Sequence, residues 1–332
     1  MSKTRVNCTI LGAGGWGTAL ACNLANNGKR VLLWARKEAY ARELNELREN
    51  KRYLPGVILP QNVEITNDLE YALQSQLIVL TIPVKGVRAI ARQIAPFIEP
   101  DHLIVNAAKG LEVGTMKRMS EILAEELPKT NVMTMSGPNH AEEVSRELPS
   151  ITVVAGEHAP SLIVQRELMT PSFRVYTNTD LIGVELAGAV KNVIAIAAGI
   201  SDGLGFGDNT KSAVITRGLA EISRFGVAYG ANPMTFFGIA GMGDLIATCT
   251  SHHSRNRLAG ELIGQKKKLD EIFETGQVVE GIPTTASVVE LAKRVSVELP
   301  IVLGVNRILA GAEPLIVVEE LMERDAKKEI KG

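Results

Sequence analysis

The residue that most demands an explanation is Lys191. It stands inside the apolar run LIGVELAGAVKNVIAIAAGI, residues 181 to 200, and a lysine is almost never buried unless it is paired or put to use. Its helical neighbours Ala187, Gly188, Ile194 and Ala195 are mostly small, so the ammonium either faces the open floor of a cleft or meets a partner across a close helix contact. Asp244, in the glycine turn Gly241-Met242-Gly243-Asp244, is a carboxylate that could be that partner. A second lysine, Lys109, lies in Asn106-Ala107-Ala108-Lys109-Gly110 directly after the β-rich run LIVN, where a loop cation can meet an anionic or carbonyl substrate. Gly137-Pro138-Asn139-His140-Ala141 follows the run NVMTMS in the same way. Each of these two turns, taken singly, is equally well an ordinary turn.

Ser254-Arg255-Asn256-Arg257 reads as the start of a helix with Ser254 at the cap. Free N–H groups beside a guanidinium and an amide make a small phosphate cradle, with a solvated basic helix end as the alternative. His252 and His253 are adjacent, so on a helix they point apart and make poor co-ligands; no metal is assigned.

Gly12-Ala13-Gly14-Gly15-Trp16-Gly17 satisfies G-x-G-x-x-G, directly after the strand-like VNCTIL and at the start of a helical stretch. In that context Gly12 permits the tight turn, Gly14 lets the backbone approach a pyrophosphate and Gly17 allows close packing of the helix. The helix start supplies N–H donors and partial positive charge. About 20 residues beyond the glycines an NAD-selective site places an acid for the ribose 2′-hydroxyl. This chain has Arg36-Lys37 there, which suits a 2′-phosphate, so NADP is the preferred dinucleotide and NAD the second; a solvated basic turn is the alternative.

These groups need a scaffold that brings loop ends together. From Val6 to about Tyr176 the runs VNCTIL, RVLLWA, LIVLTI, LIVN, NVMTMS, ITVVA and FRVY alternate with helical stretches at Thr18 to Asn27, Val84 to Ile94 and Met116 to Leu127. That rhythm predicts a mostly parallel sheet covered on both faces. After Thr179 helix-length segments follow one another, with glycine-rich turns at Gly203 to Gly207 and Gly238 to Gly243. The expected class is α/β: an N-terminal doubly wound Rossmann-type sheet over residues 1–179, and an all-α C-terminal substrate-binding domain over 180–332. The helix at 181 to 200 lies between them, and Glu319 to Lys331 reads as a solvated terminal helix.

At 332 residues, 45% hydrophobic and 22% charged, the chain can bury two cores. Lys and Arg number 36 against 37 Asp and Glu, so no global field would hold a polyphosphate backbone or an anionic membrane, and nucleic acid is not an expected partner. Any anion must be held locally. Cys8, Cys22 and Cys249 form no C-x-x-C pair and read as small core hydrophobes. Lys3 and Arg5 precede an apolar run that glycines break too early for a signal peptide, so the cytoplasm is the expected compartment. The run at 181 to 200 has the length of a membrane span, but Glu185, Lys191 and Asn192 sit within it, and it reads as a buried helix rather than an integral membrane segment.

Along essentially its whole length the chain resembles the bacterial NAD(P)-dependent glycerol-3-phosphate dehydrogenases. The resemblance is carried by GAGGWGTALA at 12 to 21, NAAKGLE at 106 to 112, SGPNHAEE at 136 to 143, ELAGAVKNVIAIAAGI at 185 to 200, GDNTKSAVITRG at 207 to 218, GMGDLIATCTSHHSRN at 241 to 256 and VVEG at 278 to 281. It implies that Lys191 is the general acid or base, with Lys109 and Asp244 completing the network. It implies that Gly137, Asn139, Ser254, Arg255 and Asn256 hold a phosphorylated substrate. It further implies that Gly15, Trp16, Arg36, Tyr53, Lys109, Ala141, Arg255, Val278 and Glu280 line the cofactor. The chain departs from the family in carrying Asn139 where Ser or Thr is usual; asparagine still donates and accepts. The reaction so implied is reduction of dihydroxyacetone phosphate, feeding glycerophospholipid synthesis, and the expected assembly is a homodimer.

Two other functions fit parts of the pattern. A hydroxy-acid or sugar-acid dehydrogenase would share the layout but has no use for a phosphate cradle at 254 to 257. A non-catalytic NADPH sensor would need neither Lys109 nor Lys191.

Overall fold

Runs such as Cys8-Thr9-Ile10-Leu11 and Leu77-Ile78-Val79-Leu80 are buried at every position, which a strand achieves only with both faces of its sheet covered. The computed structural model describes residues 6–267 and 279–325. Val278, the N-terminal cations Lys3 and Arg5, and residues 326–331 of the expected terminal helix lie outside them.

The first part of the chain runs β1 (Cys8–Leu11), α1 (Gly15–Asn26), β2 (Val31–Trp34), α2 (Glu38–Leu47), β3 (Glu49–Asn50), β4 (Leu54–Ile58) and β5 (Val63–Thr66). It continues with α3 (Leu69–Ala72), β6 (Leu77–Leu80), α4 (Val84–Ile94), β7 (Leu103–Asn106), α5 (Met119–Glu126) and β8 (Asn131–Ser136). Then follow α6 (Ala141–Val144), β9 (Ser150–Ala155), α7 (His158–Leu168) and β10 (Phe173–Asn178). The main sheet has the order β10-β9-β8-β7-β6-β1-β2-β5. Every neighbouring pair is parallel except β8 with β9. The strand order reverses between β1 and β6, so their carboxyl ends diverge into a crevice, the place where ligands bind in such sheets.

Each β-rich run contains a strand, but the sequence pattern missed two features. Strand β5 (VEIT) buries alternate residues and lies at the sheet edge, and a short antiparallel hairpin joins β3 to β4. Two helix starts also differ: α1 begins within the glycine motif itself, and α5 begins at Met119.

From Leu181 onward all described regular elements are helical: α8 (Leu181–Gly203), α9 (Asp208–Ala228), α10 (Asp244–Thr250), α11 (Arg255–Gly264), α12 (Gly281–Arg294), α13 (Pro300–Leu309) and α14 (Pro314–Met322). Helix α8 is long and apolar enough to cross a membrane, yet 83% of its apolar window is buried inside the protein. It forms the axis of the second core, with Val190, Val193, Ile194 and Ile196 packed among Ile222, Phe225, Leu245 and Val288. The Gly238 to Gly243 segment is not a free turn: Ile239–Gly243 forms a π-helical turn that runs directly into α10. All three cysteines are buried free thiols, and burial pushes Cys22 and Cys249 up to about 12.

Helices α8 and α11 meet backbone to backbone. A Cβ on Gly199 or Gly203 would collide with the carbonyl oxygens of Arg257 or Glu261, and one on Gly260 or Gly264 would collide with those of Ile196 or Ile200. Four glycines on two facing stripes thus remove the side-chain spacer, and where these stripes meet the backbones are held by dispersion and weak C–H···O contacts. We expect Gly199→Ala to force the two helices apart and to cost roughly 1–3 kcal/mol of stability, the usual penalty of overpacking. Urea unfolding followed by circular dichroism measures this, and a midpoint equal to the wild type would show that the seam is loose.

Candidate active site

Lys191 lies midway along α8 and is 5% exposed. Its Nζ donates to Asp244 Oδ1 at 2.5 Å and to Thr248 Oγ1 at 2.7 Å. Asp244 opens α10, where the π-helical turn delivers it, and its other oxygen, Oδ2, accepts from Lys109 Nζ at 2.8 Å. Lys109 also donates to the Gly137 carbonyl at 2.8 Å. One carboxylate therefore joins three regions of the chain: the loop after β7, the loop after β8, and the α8–α10 pair. The choice left open by the sequence, cleft lysine or ion pair, is resolved as a pair.

The small neighbours of Lys191 have a definite use. A Cβ on Gly188 would stand 2.9 Å from Ser136 Oγ and 3.6 Å from Lys109 Cγ, so glycine there lets the stem of Lys109 cross α8 closely. Two ammonium groups and one carboxylate leave this cluster one net positive charge. Burial brings Lys191 down to about 8, an effect that Asp244 opposes and Lys109 reinforces. Burial alone would raise Asp244, but the two ammonium groups outweigh it and hold the carboxyl below its usual range. Burial, then Lys191 and Lys109, push His140 below the ordinary imidazole range, against Glu143 and Asp244.

At the end of β1, Gly12 has φ +126, a conformation that side chains rarely adopt. Gly17 packs so closely on Gly12 O and Thr81 Oγ1 that any Cβ would collide. By contrast nothing lies within 4 Å of where a Gly14 Cβ would be, so the N-terminus of α1 is open on that side. A Cβ on Gly15 would stand 2.8 Å from the Tyr53 carbonyl, and Ala141 is next to it. The Trp16 ring turns inward toward Phe173, with centroids 6.1 Å apart, so Trp16 can offer the crevice its main chain. Arg36, just past β2, is exposed and has no hydrogen-bond or ion-pair partner among the described residues. Glu280 accepts from Val84 N at 3.2 Å and so occupies the N-terminus of α4. These features fit a dinucleotide: an open helix start at α1, a closed one at α4 and a free cation after β2.

Ser254 caps α11 as expected, its side chain accepting from Arg257 N at 3.2 Å. Arg255 is half-buried at the first turn. Asn256 is committed internally: its Nδ2 donates to Asn192 Oδ1 at 3.0 Å and its Oδ1 accepts from Gly281 N at 2.9 Å. What this residue leaves for an anion is its backbone N–H and its second amide hydrogen. Asn139 Nδ2 donates to Ile151 O at 2.7 Å, which ties the Gly137 turn to β9. Arg257, the second guanidinium of the basic cluster, is turned away from the helix start and buried. His252 and His253 lie in a turn and not on a helix; the His253 ring stands 5.8 Å from that of His140.

Sequence inspection singled out neither Thr248 nor Asn192. Thr248 touches Lys191 and donates to the Asp244 carbonyl at 2.6 Å. Asn192 links Asn256 to the Lys109 carbonyl, donating to the latter at 3.4 Å. The available signal was position: Thr248 is one helical turn beyond Asp244, and Asn192 adjoins Lys191.

Comparison with known proteins gives a consistent result. Residues 7–161 match the family model for the NAD-dependent glycerol-3-phosphate dehydrogenase N-terminus, and residues 180–319 match that for its C-terminus. The glycerol-3-phosphate dehydrogenase [NAD(P)+] of Geobacillus thermodenitrificans is 50% identical over 98% of this chain and 96% of its own length. That of Desulfitobacterium hafniense is 48% identical over 97% of this chain and 92% of its own. Among solved structures, glycerol-3-phosphate dehydrogenase from Coxiella burnetii superposes with a TM-score of 0.92 at 38% identity, covering 96% of this chain and 98% of that one.

The shared carboxylate generates a stability prediction. Asp244→Asn leaves the buried ammonium of Lys191 and the half-buried one of Lys109 facing a neutral amide, and removal of one partner from a buried ion pair costs roughly 3–5 kcal/mol. Urea unfolding of the purified variant measures this. A loss under about 1 kcal/mol would show that water, and not Asp244, carries the compensation.

Proposed function

Since the chain belongs to the NAD-dependent glycerol-3-phosphate dehydrogenase family, we propose that Lys191, held by Asp244, gives up the proton as dihydroxyacetone phosphate becomes glycerol 3-phosphate. The protein is an oxidoreductase that uses NAD and NADP for this reaction. The observation that carries the assignment of roles is the single carboxylate bridging Lys109 and Lys191.

The bound nicotinamide supplies the hydride. The chain's own residues supply orientation, charge and the proton. The first-turn N–H groups of α1, with Gly12, Gly14, Gly15, Trp16 and Gly17, would take the pyrophosphate, while Tyr53, Ala141 and Glu280 line the remainder of the crevice. Lys109, at the edge of the crevice, serves both cofactor and substrate. Arg255, the cap region at Ser254 and the backbone N–H of Asn256 would hold the substrate phosphate, with the Gly137 and Asn139 turn opposite.

As the ketone oxygen gains negative charge, the Lys191 ammonium protonates it and Lys109 stabilises it electrostatically. Asp244 keeps both cations in place, and Thr248 accepts a second hydrogen bond from Lys191, which leaves its third proton for the substrate. Reduction needs the ammonium form. With burial bringing Lys191 to about 8, the fraction able to donate is high below that pH and falls as pH rises through it. Oxidation of glycerol 3-phosphate needs the amine and has the opposite dependence.

Five further readings belong with this proposal. NADP is preferred, because Arg36 is free to meet a 2′-phosphate and no acid replaces it. The chain divides at 179/180 into a dinucleotide-binding unit and a helical substrate-binding unit. It acts as a homodimer in the cytoplasm, and its product enters glycerophospholipid synthesis. A non-catalytic sensor would leave the cost of burying Lys191 unexplained.

Lys191→Met keeps the stem's bulk and removes the proton. Turnover is expected to fall roughly 100-fold to 10,000-fold, with NADPH binding followed by fluorescence nearly intact. The wild-type rate of reduction, followed in parallel, should decline above pH about 8. A folded variant that keeps more than about a tenth of wild-type turnover would move the proton to Lys109. The cofactor reading is tested separately. Arg36→Asp should shift preference from NADPH toward NADH, because the new carboxylate repels a 2′-phosphate and accepts from a 2′-hydroxyl. An unchanged ratio of kcat/KM for the two would place the basic pair in solvent.

A further inference from the structure

By sequence Arg257 belongs to the cationic group at the start of α11, yet every nitrogen of its guanidinium is spoken for inside the protein. Nη1 pairs with Asp202 Oδ2 at 2.5 Å and Nη2 with Glu261 Oε2 at 3.2 Å. Nε donates to the Ser251 carbonyl at 3.1 Å, and Nη2 lies 3.4 Å from His252 Nδ1. The side chain is only 9% exposed. Asp202, in the last turn of α8, gives its second oxygen to Lys211 in the first turn of α9, at 2.7 Å. Two cations and two carboxylates cancel, so the cluster presents no net charge to an anion nearby.

These contacts fasten one particular piece of chain. The turn from Ser251 to Ser254 leads into the N-terminus of α11, and Arg257 holds the carbonyl at its start while its own backbone N–H is capped by Ser254 at its end. Behind it, Gly199 of α8 abuts the Arg257 carbonyl. The helix start is thereby fixed against α8, the helix that carries Lys191. Lys211 and Asp202 are the part of this cluster that the proposed chemistry does not otherwise use.

We propose that Arg257, Asp202 and Lys211 form a strut that positions the phosphate-binding start of α11, and that Arg257 is a positioning residue and not a phosphate ligand. A neutral strut suits this place. An unpaired Asp202 would repel a phosphate dianion, and Lys211 removes that charge; an unpaired Arg257 would swing toward the phosphate and release the turn. The inference rests on reading the α11 N-terminus as the phosphate site.

Asp202→Asn separates the alternatives by sign. If Arg257 is a strut, loosening it raises the KM for dihydroxyacetone phosphate and weakens inhibition by inorganic phosphate, each by about tenfold, with kcat within about threefold of wild type. The rate with unphosphorylated dihydroxyacetone at fixed concentration should not change, which a general loss of structure would not reproduce. If Arg257 is a latent ligand, the same change frees it and lowers both constants. Arg257→Lys gives a second test should Asp202→Asn fail to fold. It keeps the cation but cannot bond the Ser251 carbonyl and Asp202 together, so the strut predicts the same rise in KM. An unchanged or lowered KM in the folded variants overturns the strut. Arg255→Ala is the control: if it leaves both KM and phosphate inhibition unchanged, the phosphate site itself is misplaced and the strut falls with it.

Discussion

The carboxylate of Asp244 is the interaction on which the site depends. Burying one ammonium group beside a second, half-buried one is costly in a low-dielectric interior, and one carboxylate oxygen apiece makes it tolerable. The arrangement retains one positive charge at the junction of the two lysines and Asp244. It also holds Lys191 in the narrow range where a lysine can exchange a proton near neutral pH, between the pull of burial and the pull of Asp244.

Because that carboxylate joins the loops after β7 and β8 to α8 and α10, the sheet and the helical region have to be docked correctly for it to form. The close α8–α11 seam supplies the complementary constraint on the other side of α8. Glycines at 199, 203, 260 and 264 bring two backbones into contact, so the start of α11 cannot drift relative to Lys191 without separating the helices. Asn192, bonded to Asn256 and to the Lys109 carbonyl, spans the two constraints. Catalytic groups gain from such rigid support because misplacement by about 1 Å can cost about a hundredfold in rate.

The parallel sheet contributes by topology. Loops after β1, β6, β7 and β8 all emerge at one edge, which gathers the glycine turn, Lys109 and the Gly137 turn although they are far apart in sequence. Gly12 and Gly17 are used for backbone conformation and contact, and Gly14 for open space. These are different physical demands met by one residue type.

Much of this was legible in the chain itself. Continuous apolar runs fixed the buried strands, because a run without alternation has no solvent face to offer. G-x-G-x-x-G after the first run located the tight turn between β1 and α1, and Lys191 announced itself by the cost of desolvating an ammonium. Strand β5 escaped notice because at a sheet edge Glu64 and Thr66 need not be apolar. What the chain did not determine locally was partnership. That Asp244 faces both lysines, that Asn256 is spent on Asn192, and that Arg257 turns inward to Asp202 while Arg255 does not, all depend on where distant segments dock. Local propensity and periodicity record which face of an element is buried; hydrogen-bond and ion-pair partners are chosen by tertiary packing, which can place two arginines of one short cluster in different surroundings.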